Sequence, residues 1–299
     1  METIPAGLRV LARRINAEQL EKLSSSSDAR ARELAAGIGD LLEDAFADEE
    51  REWILRIETM RDRLNARMDR ICLVDYGSGP HQGRTVEDAY EGILSEAVVG
   101  EVAEKRSKRF PWTIALFEIV RHAGVRNALE LGTAYGVSAA FQAAAIATNG
   151  GGRFTTIEGD PQQATIAKAN LAELGLDVSI VVGRFQDVLS GVLDELAPID
   201  YAFIDGHHER NATIAYFEQI LPALDEGAIV VFDDISWSAG MRDAWAVVSG
   251  HPRVAVAVDL VAIGVCAVRA EPAEREAYRL LVTPALDLAG TTRSQKTAN

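Results

Sequence analysis

From Asn127 onward the chain repeats one pattern, a short apolar run followed by a helical stretch. The runs are Ala128–Gly132, Phe154–Glu158, Val178–Val182, Tyr201–Asp205 and Ala228–Asp233, with helical periods over 137–148, 161–174, 186–196 and 211–224. Short, continuous apolar runs suit strands covered on both faces. Strands that alternate with helices pair in parallel, because each return crosses over through a helix. The spacing predicts an α/β fold, doubly wound around a mostly parallel, seven-stranded sheet. Val254–Leu260 and Ala262–Val268 are joined almost directly, which predicts an antiparallel hairpin at the sheet edge.

The chain before this pattern is different. Residues 1–70 are charged and helical in period, broken at Ser24–Ser27, where Asp28 is placed to cap the next helix. Trp53, Ile57, Met60, Leu64 and Met68 share one helical face, which reads as a packing or dimer seam. Residues 75–84 form a Gly- and Pro-rich loop, with Asp75, Tyr76 and Gly77 as a candidate lid, and 85–126 return to helical character. The expected organisation is a helical extension over 1–109, a ligand-binding domain over 110–270, and a C-terminal helix with a flexible tail over 271–299.

Composition removes several classes. Thirty basic against 45 acidic residues give a net charge of −15, which argues against nucleic-acid binding. The one basic cluster, Lys105 to Arg109, reads as a solvated helix face, with an anionic pocket as the lesser alternative. No apolar run is long enough to span a membrane, and the N-terminus lacks the pattern of a signal peptide. The expectation is a cytoplasmic protein. Cys72 and Cys266, both in apolar surroundings without a CxxC pair, are expected to be buried thiols.

The strand ends carry the chemistry. The first closes in Glu130-Leu131-Gly132-Thr133-Ala134-Tyr135-Gly136. Glycines at a strand-to-helix turn admit a ligand close to the backbone. The spacing is G-x-x-x-G, not the G-x-G-x-x-G of a dinucleotide site, and the preceding acid suits a ligand bearing an ammonium group. An ordinary α/β turn is the alternative. The second strand ends in Glu158, where such folds place an acid for ribose hydroxyls. Gly183-Arg184-Phe185-Gln186 follows the third, Asp205-Gly206-His207-His208 the fourth, and Asp233-Asp234 the fifth. Three carboxylates at neighbouring strand ends repel unless neutralised, and a hard divalent cation with oxygen ligands would neutralise them. Solvent exposure, or capping of the next segment, would also account for these acids.

LELGTAYGVSAA, TIEGDP and VVGRFQD together resemble the corresponding motifs of the catechol-type class I S-adenosylmethionine-dependent methyltransferases, over about 127–245. The resemblance implies a Rossmann-like methyltransferase fold. It puts cofactor contacts at Glu130, Gly132, Thr133, Tyr135, Gly136, Ser138, Glu158, Gly183, Phe185, Gln186 and Asp205. It also implies Mg²⁺ or Mn²⁺ on Asp205, Asp233 and Asp234. Asp234 stands where the catechol family has an amide, and the all-carboxylate set, with Asp205-x-x-His208, resembles the metal-dependent macrolide-sugar O-methyltransferases. That makes Asp205 and His208 the catalytic pair, with His208 as general base and His207 as the alternative base or an additional ligand. Trp237, Met241 and Trp245 either wall an acceptor pocket or pack on the sheet.

The expected function is O-methylation of a small hydroxylated acceptor of specialised metabolism by a homodimeric enzyme. The alternatives are a metal-independent N- or C-methyltransferase, or a silent cofactor-binding partner subunit. Intact Asp205, His208, Asp233 and Asp234 argue against silence.

Overall fold

The structure is a computed structural model that describes residues 6–77, 90–107 and 110–282. Most of the expected loop over 75–84, Lys108 and Arg109 of the basic cluster, and the tail lie outside the described residues. Three helices come first: α1 (Ala6–Ser24), α2 (Ala29–Glu43) and α3 (Asp48–Asn65). Asp28 caps α2, accepting from the backbone N–H of Arg30 at 2.8 Å and of Ala31 at 3.3 Å. A hairpin then pairs β1 (Arg70–Asp75) antiparallel to β2 (Ile93–Val98). It interrupts a region read as helical, and Cys72 is exposed on it, whereas Cys266 is buried as expected. Helices α4 (Val99–Arg106) and α5 (Trp112–His122) lead into the sheet.

The alternation after Asn127 is realised element by element. In order come β3 (Asn127–Leu131), α6 (Val137–Thr148), β4 (Arg153–Glu158), α7 (Pro161–Leu174), β5 (Ser179–Val182) and α8 (Phe185–Leu196). β6 (Ile199–Ile204), α9 (Arg210–Ile220), β7 (Leu224–Phe232), α10 (Ala239–Ser249), β8 (Val254–Asp259) and β9 (Gly264–Val268) follow. An additional strand, β10 (Glu276–Arg279), lies where a helix was expected. The sheet order is β10-β8-β9-β7-β6-β3-β4-β5, and β9 alone runs antiparallel to both of its neighbours. The hairpin of β8 and β9 is therefore not the edge, because β10 pairs outside it. The side-chain amide of Asn16 on α1 brackets the backbone of Leu281 just beyond β10, at 2.7 and 3.1 Å.

Side chains alternate between two apolar layers. Tyr201 and Phe203 of β6 face the layer formed with α2, α3, α5 and α6, while Ala202 and Ile204 face α8, α9 and α10. The stripe on α3 joins the first layer. Ile57, Met60 and Leu64 are buried there and Trp53 packs on its margin. Most of the stripe is thus spent on packing within the chain, while Leu55 on the same helix is exposed. Met68 lies beyond the end of α3 and is exposed. None of the described helices is long and apolar enough to cross a membrane.

Because α3 shares a core with the sheet, the extension and the sheet should unfold together. Ile57→Ala is expected to lower stability by about 2–5 kcal/mol, with one cooperative transition in urea. A separate early transition confined to the helices would contradict this packing.

Candidate active site

Backbone hydrogen bonds continue the ladder past the ends of the parallel strands. Gly183 N donates to Glu158 O at 2.9 Å, Gly132 N to Ile157 O at 3.0 Å, Asp205 N to Leu131 O at 2.9 Å and Asp233 N to Ile204 O at 3.0 Å. Five strand ends are thus level with one another, at the switch point between β3 and β6 where open α/β sheets bind ligands. The fit leaves no room for a side chain at Gly132. Its φ is +102°, and a Cβ there would lie 2.0 Å from the carbonyl oxygen of Asp205.

A cavity of about 350 Å³ opens above these ends, within the size range of small-molecule sites. Gly132, Glu158, Gly183, Phe185, Gln186, Asp205, His207, His208, Asp233 and Asp234 line it. Thr133, Tyr135, Gly136, Ser138 and Glu130 do not. They lie behind the wall and shape the turn. Glu130 is fully buried, accepting from Gln142 Nε2 and from Thr156 Oγ1, each at 2.7 Å. Tyr135 packs inward, its carbonyl accepting from Asn170 at 2.9 Å. Gly136, with φ +82°, starts α6.

Glu158 is held from two sides. Ala134 N donates to its Oε2 at 2.7 Å and Asp160 N to its Oε1 at 2.9 Å. Burial pushes its carboxyl up to about 7, so further donors from a ligand would stabilise its charged form. Gln163 adds a buried side-chain oxygen without a partner, and it too lines the cavity. The small residues Gly132, Ala134, Gly159, Gly183 and Gly206 leave the floor open.

The acids and histidines divide the remaining work. His208 Nε2 lies 3.6 Å from Asp205 Oδ1 and 4.0 Å from Asp234 Oδ2, and its ring stacks with Trp237. Ligand atoms of Asp205, His208 and Asp233 all lie within 4.8 Å of one another. His207 turns away from them. It is buried, its Nδ1 is 2.5 Å from the hydroxyl of Tyr216, and Tyr90 and Phe185 pack around the ring. Ala134, His207, His208 and Asp234 all adopt positive φ. Such backbone is costly for residues other than glycine, and all four of these residues border the cavity. Asp233 and Asp234 do not cap α10; Ser238 does, accepting from Met241 N at 3.1 Å. Trp237 lines the cavity, whereas Met241 and Trp245 are buried packing residues.

The extension supplies the opposite wall. Val74 and Tyr76 from the hairpin, Lys105, Arg106 and Ser107 at the end of α4, and Trp112 all reach the cavity. Asp160 makes the joint: one carboxylate oxygen caps α7, and the other accepts from Val74 N at 2.6 Å. Tyr76 lies against Gly159, where a Cβ would approach its ring to 2.6 Å. Arg106 reaches Asp75 at 3.0 Å. The candidate lid and the described part of the basic cluster therefore belong to the site. Trp112 and Gln163 were missed. The Asp160-Pro161 start of α7 was the available signal for the joint.

Residues 129–235 match the family model described as "Methyltransferase domain". That stretch, from β3 to just beyond β7, is therefore similar to a methyltransferase domain. A catechol O-methyltransferase from Niastella koreensis is 35% identical over 113 residues, covering 37% of this chain and 49% of that protein. A catechol O-methyltransferase from Mycobacterium tuberculosis is 32% identical over 118 residues, covering 39% and 51%. The chain thus spans about half the length of the curated relatives it matches. The fold extends further: the S-adenosylhomocysteine-bound structure of a Podospora anserina methyltransferase superposes with a TM-score of 0.51, covering 90% of this chain and all of that one, at 15% identity. The matched residues contain β4, the glycine turn and the strand-end acids, but not the extension that walls the cavity.

Glu130 behind the turn gives a test by pH. Burial pushes its carboxyl up to about 7 from 4.5. An acid raised on folding contributes most below its unfolded value, and the contribution is lost as pH rises from about 4.5 to about 7. Glu130→Gln removes that titration. The variant should lose less stability than the parent between pH 5 and 8, by about 1–2 kcal/mol. Equal losses in urea titrations at the two pH values would contradict a buried, protonatable Glu130.

Proposed function

We propose that this protein is an S-adenosylmethionine-dependent O-methyltransferase acting on a small hydroxylated molecule. The observation that carries the reading is the level row of Glu158, Gly132, Asp205 and Asp233 on one cavity. In this reading Glu158 accepts the ribose hydroxyls, with its carboxylate held by Ala134 N and Asp160 N. Gln186 and Phe185 hold the adenine, and the Gly132 turn admits the amino-acid end. S-adenosylmethionine, when bound, supplies an electrophilic methyl group on a sulfonium. The acceptor lies toward Trp237 and the wall formed by the extension. Closure by Tyr76 and Trp112 excludes water and fixes the approach, which matters because the displacement consumes opposite charges.

Asp205, Asp233 and Asp234 offer the oxygen donors that a hard divalent ion such as Mg²⁺ or Mn²⁺ takes, with Asp205 and Asp233 in the close group and Asp234 outside it; such an ion, when bound, would supply positive charge to the acceptor. His208, between Asp205 and Asp234, takes the acceptor's proton at Nε2. The cluster within 4.8 Å also favours a second reading, in which His208 is itself a metal ligand. Localisation to the cytoplasm, a homodimer, and the division at about residues 109 and 270 remain part of the proposal.

Isothermal titration should detect S-adenosylhomocysteine, with Glu158→Ala weakening it by about 1–3 kcal/mol, the scale of lost hydrogen bonds to a charged group. Undiminished affinity would remove Glu158 from the ribose site. For the reaction, EDTA should abolish turnover of an accepted hydroxylated compound, and Mg²⁺ should restore it. His208→Ala should lower kcat by about 10²–10⁴-fold while metal affinity holds. Loss of metal affinity in that variant would make His208 a ligand, and full activity in EDTA would end the metal reading.

A further inference from the structure

A second group of metal-ligating side chains lies apart from the cavity, where α2 crosses α5. Asp40 comes from the last turns of α2. Glu118 and His122 come from α5, four residues apart and therefore on one face. His122 Nε2 is 2.8 Å from Asp40 Oδ2 and 3.6 Å from Glu118 Oε2. One ligand atom from each of the three lies within 4.8 Å of the other two. Donors about 2.0–2.2 Å from a tetrahedral zinc ion stand roughly 3.3–3.6 Å apart, so the group closes on one ion with a small opening of the His122–Asp40 contact.

Glu118 separates this arrangement from an ordinary surface ion pair. It is fully buried, and neither carboxylate oxygen has a hydrogen-bond partner. An interior carboxylate without partners is costly. Its surroundings add to the cost. Glu50 of α3 and Asp40 bring further negative charge close by, which the Arg121 guanidinium, 3.3 Å from Glu50, offsets only in part. The helices are also built to meet at this point. A Cβ on Gly37 of α2 would lie 2.8 Å from the backbone oxygen of Glu118 and 3.3 Å from His122 Cδ2. Glycine costs stability inside a helix, and here it brings α2 against the turn of α5 that bears the ligands.

We infer that Asp40, Glu118 and His122 form a second, structural site for one divalent ion of the zinc class, pinning α2 to α5. Imidazole among the donors disfavours Mg²⁺ and Ca²⁺. The side chains of Asp40 and His122 are 36% and 27% exposed, which leaves an entry path and room for a water as fourth ligand. The ion gives the Glu118 carboxylate a direct ligand contact where it has no hydrogen bond. Because α5 runs directly into β3, the site steadies the helical layer behind the sheet. It does not depend on the methyltransferase reading or on a metal in the cavity.

The test uses full-length protein without an affinity tag, stripped with EDTA and freed of it, with Co²⁺ as the probe. In an Asp205→Asn/Asp233→Asn background the cavity acids are disarmed. There we expect one Co²⁺ per chain, with visible absorption bands that Zn²⁺ displaces and that adding His122→Ala abolishes. In the otherwise unmodified chain, Glu118→Gln should lower the number of bound Co²⁺ ions by one, with folding checked by circular dichroism. Zn²⁺ should raise the melting temperature of the background variant and leave that of its His122→Ala derivative unchanged. No Co²⁺ bound in the background variant, bands that survive His122→Ala, or an unchanged ion count in Glu118→Gln would each overturn the site and leave Glu118 as a neutral buried acid.

Discussion

The backbone ladder that runs past the strand ends is the constraint on which the rest of the site depends. Four hydrogen bonds level Gly183, Glu158, Gly132, Asp205 and Asp233 across β5, β4, β3, β6 and β7. Neighbouring parallel strands stand about 4.8 Å apart, so functional groups on successive ends come within reach of one ligand without any special loop. The same closeness explains why residue 132 is glycine, because the carbonyl of Asp205 occupies the space of its Cβ. It also explains why polar side chains behind the turn pair with one another. Glu130, Gln142, Thr156 and Thr133 form a buried network that braces the turn from the side opposite the cavity.

The helical extension is part of the same construction. Its apolar stripe on α3 buries against the sheet layer, and its hairpin is fastened to the cap of α7 through Asp160. Those two attachments carry Tyr76, Arg106 and Trp112 to the cavity. The strand ends supply the row of acids and the extension supplies aromatic and cationic groups, so the two walls differ in chemistry. In the proposed function, that division separates cofactor and proton handling from enclosure of the acceptor.

Much of this was legible in the sequence where burial imposes a period. The parallel strands are continuous apolar runs because both faces are covered, and their ends carry polar residues because the ladder stops there. Where burial is partial the signal fades. β2 is half-buried on one face and exposes Leu94 and Glu96 on the other, and β10 is a polar four-residue strand at the sheet edge. Met68 continued the stripe of α3 by period alone, although the helix ends at Asn65. At the glycine turn the motif did not tell which side chains border the cavity: Gly132 and Ala134 do, while Thr133, Tyr135 and Ser138 are buried behind it. The tandem histidines were separated only in the structure, because both take positive φ in place of extended alternation. That geometry sends His207 to Tyr216 and His208 to the acids.

The central claim is that one cavity, floored by the strand ends and walled by the extension, receives both cofactor and acceptor. A crystal structure with S-adenosylhomocysteine tests it most directly. The account predicts ribose hydroxyls on Glu158, adenine beside Phe185 and Gln186, and the sulfur directed toward the space between His208 and Trp237. Density for the nucleoside elsewhere on the chain, or a sulfur directed away from His208 and the strand-end acids, would contradict it.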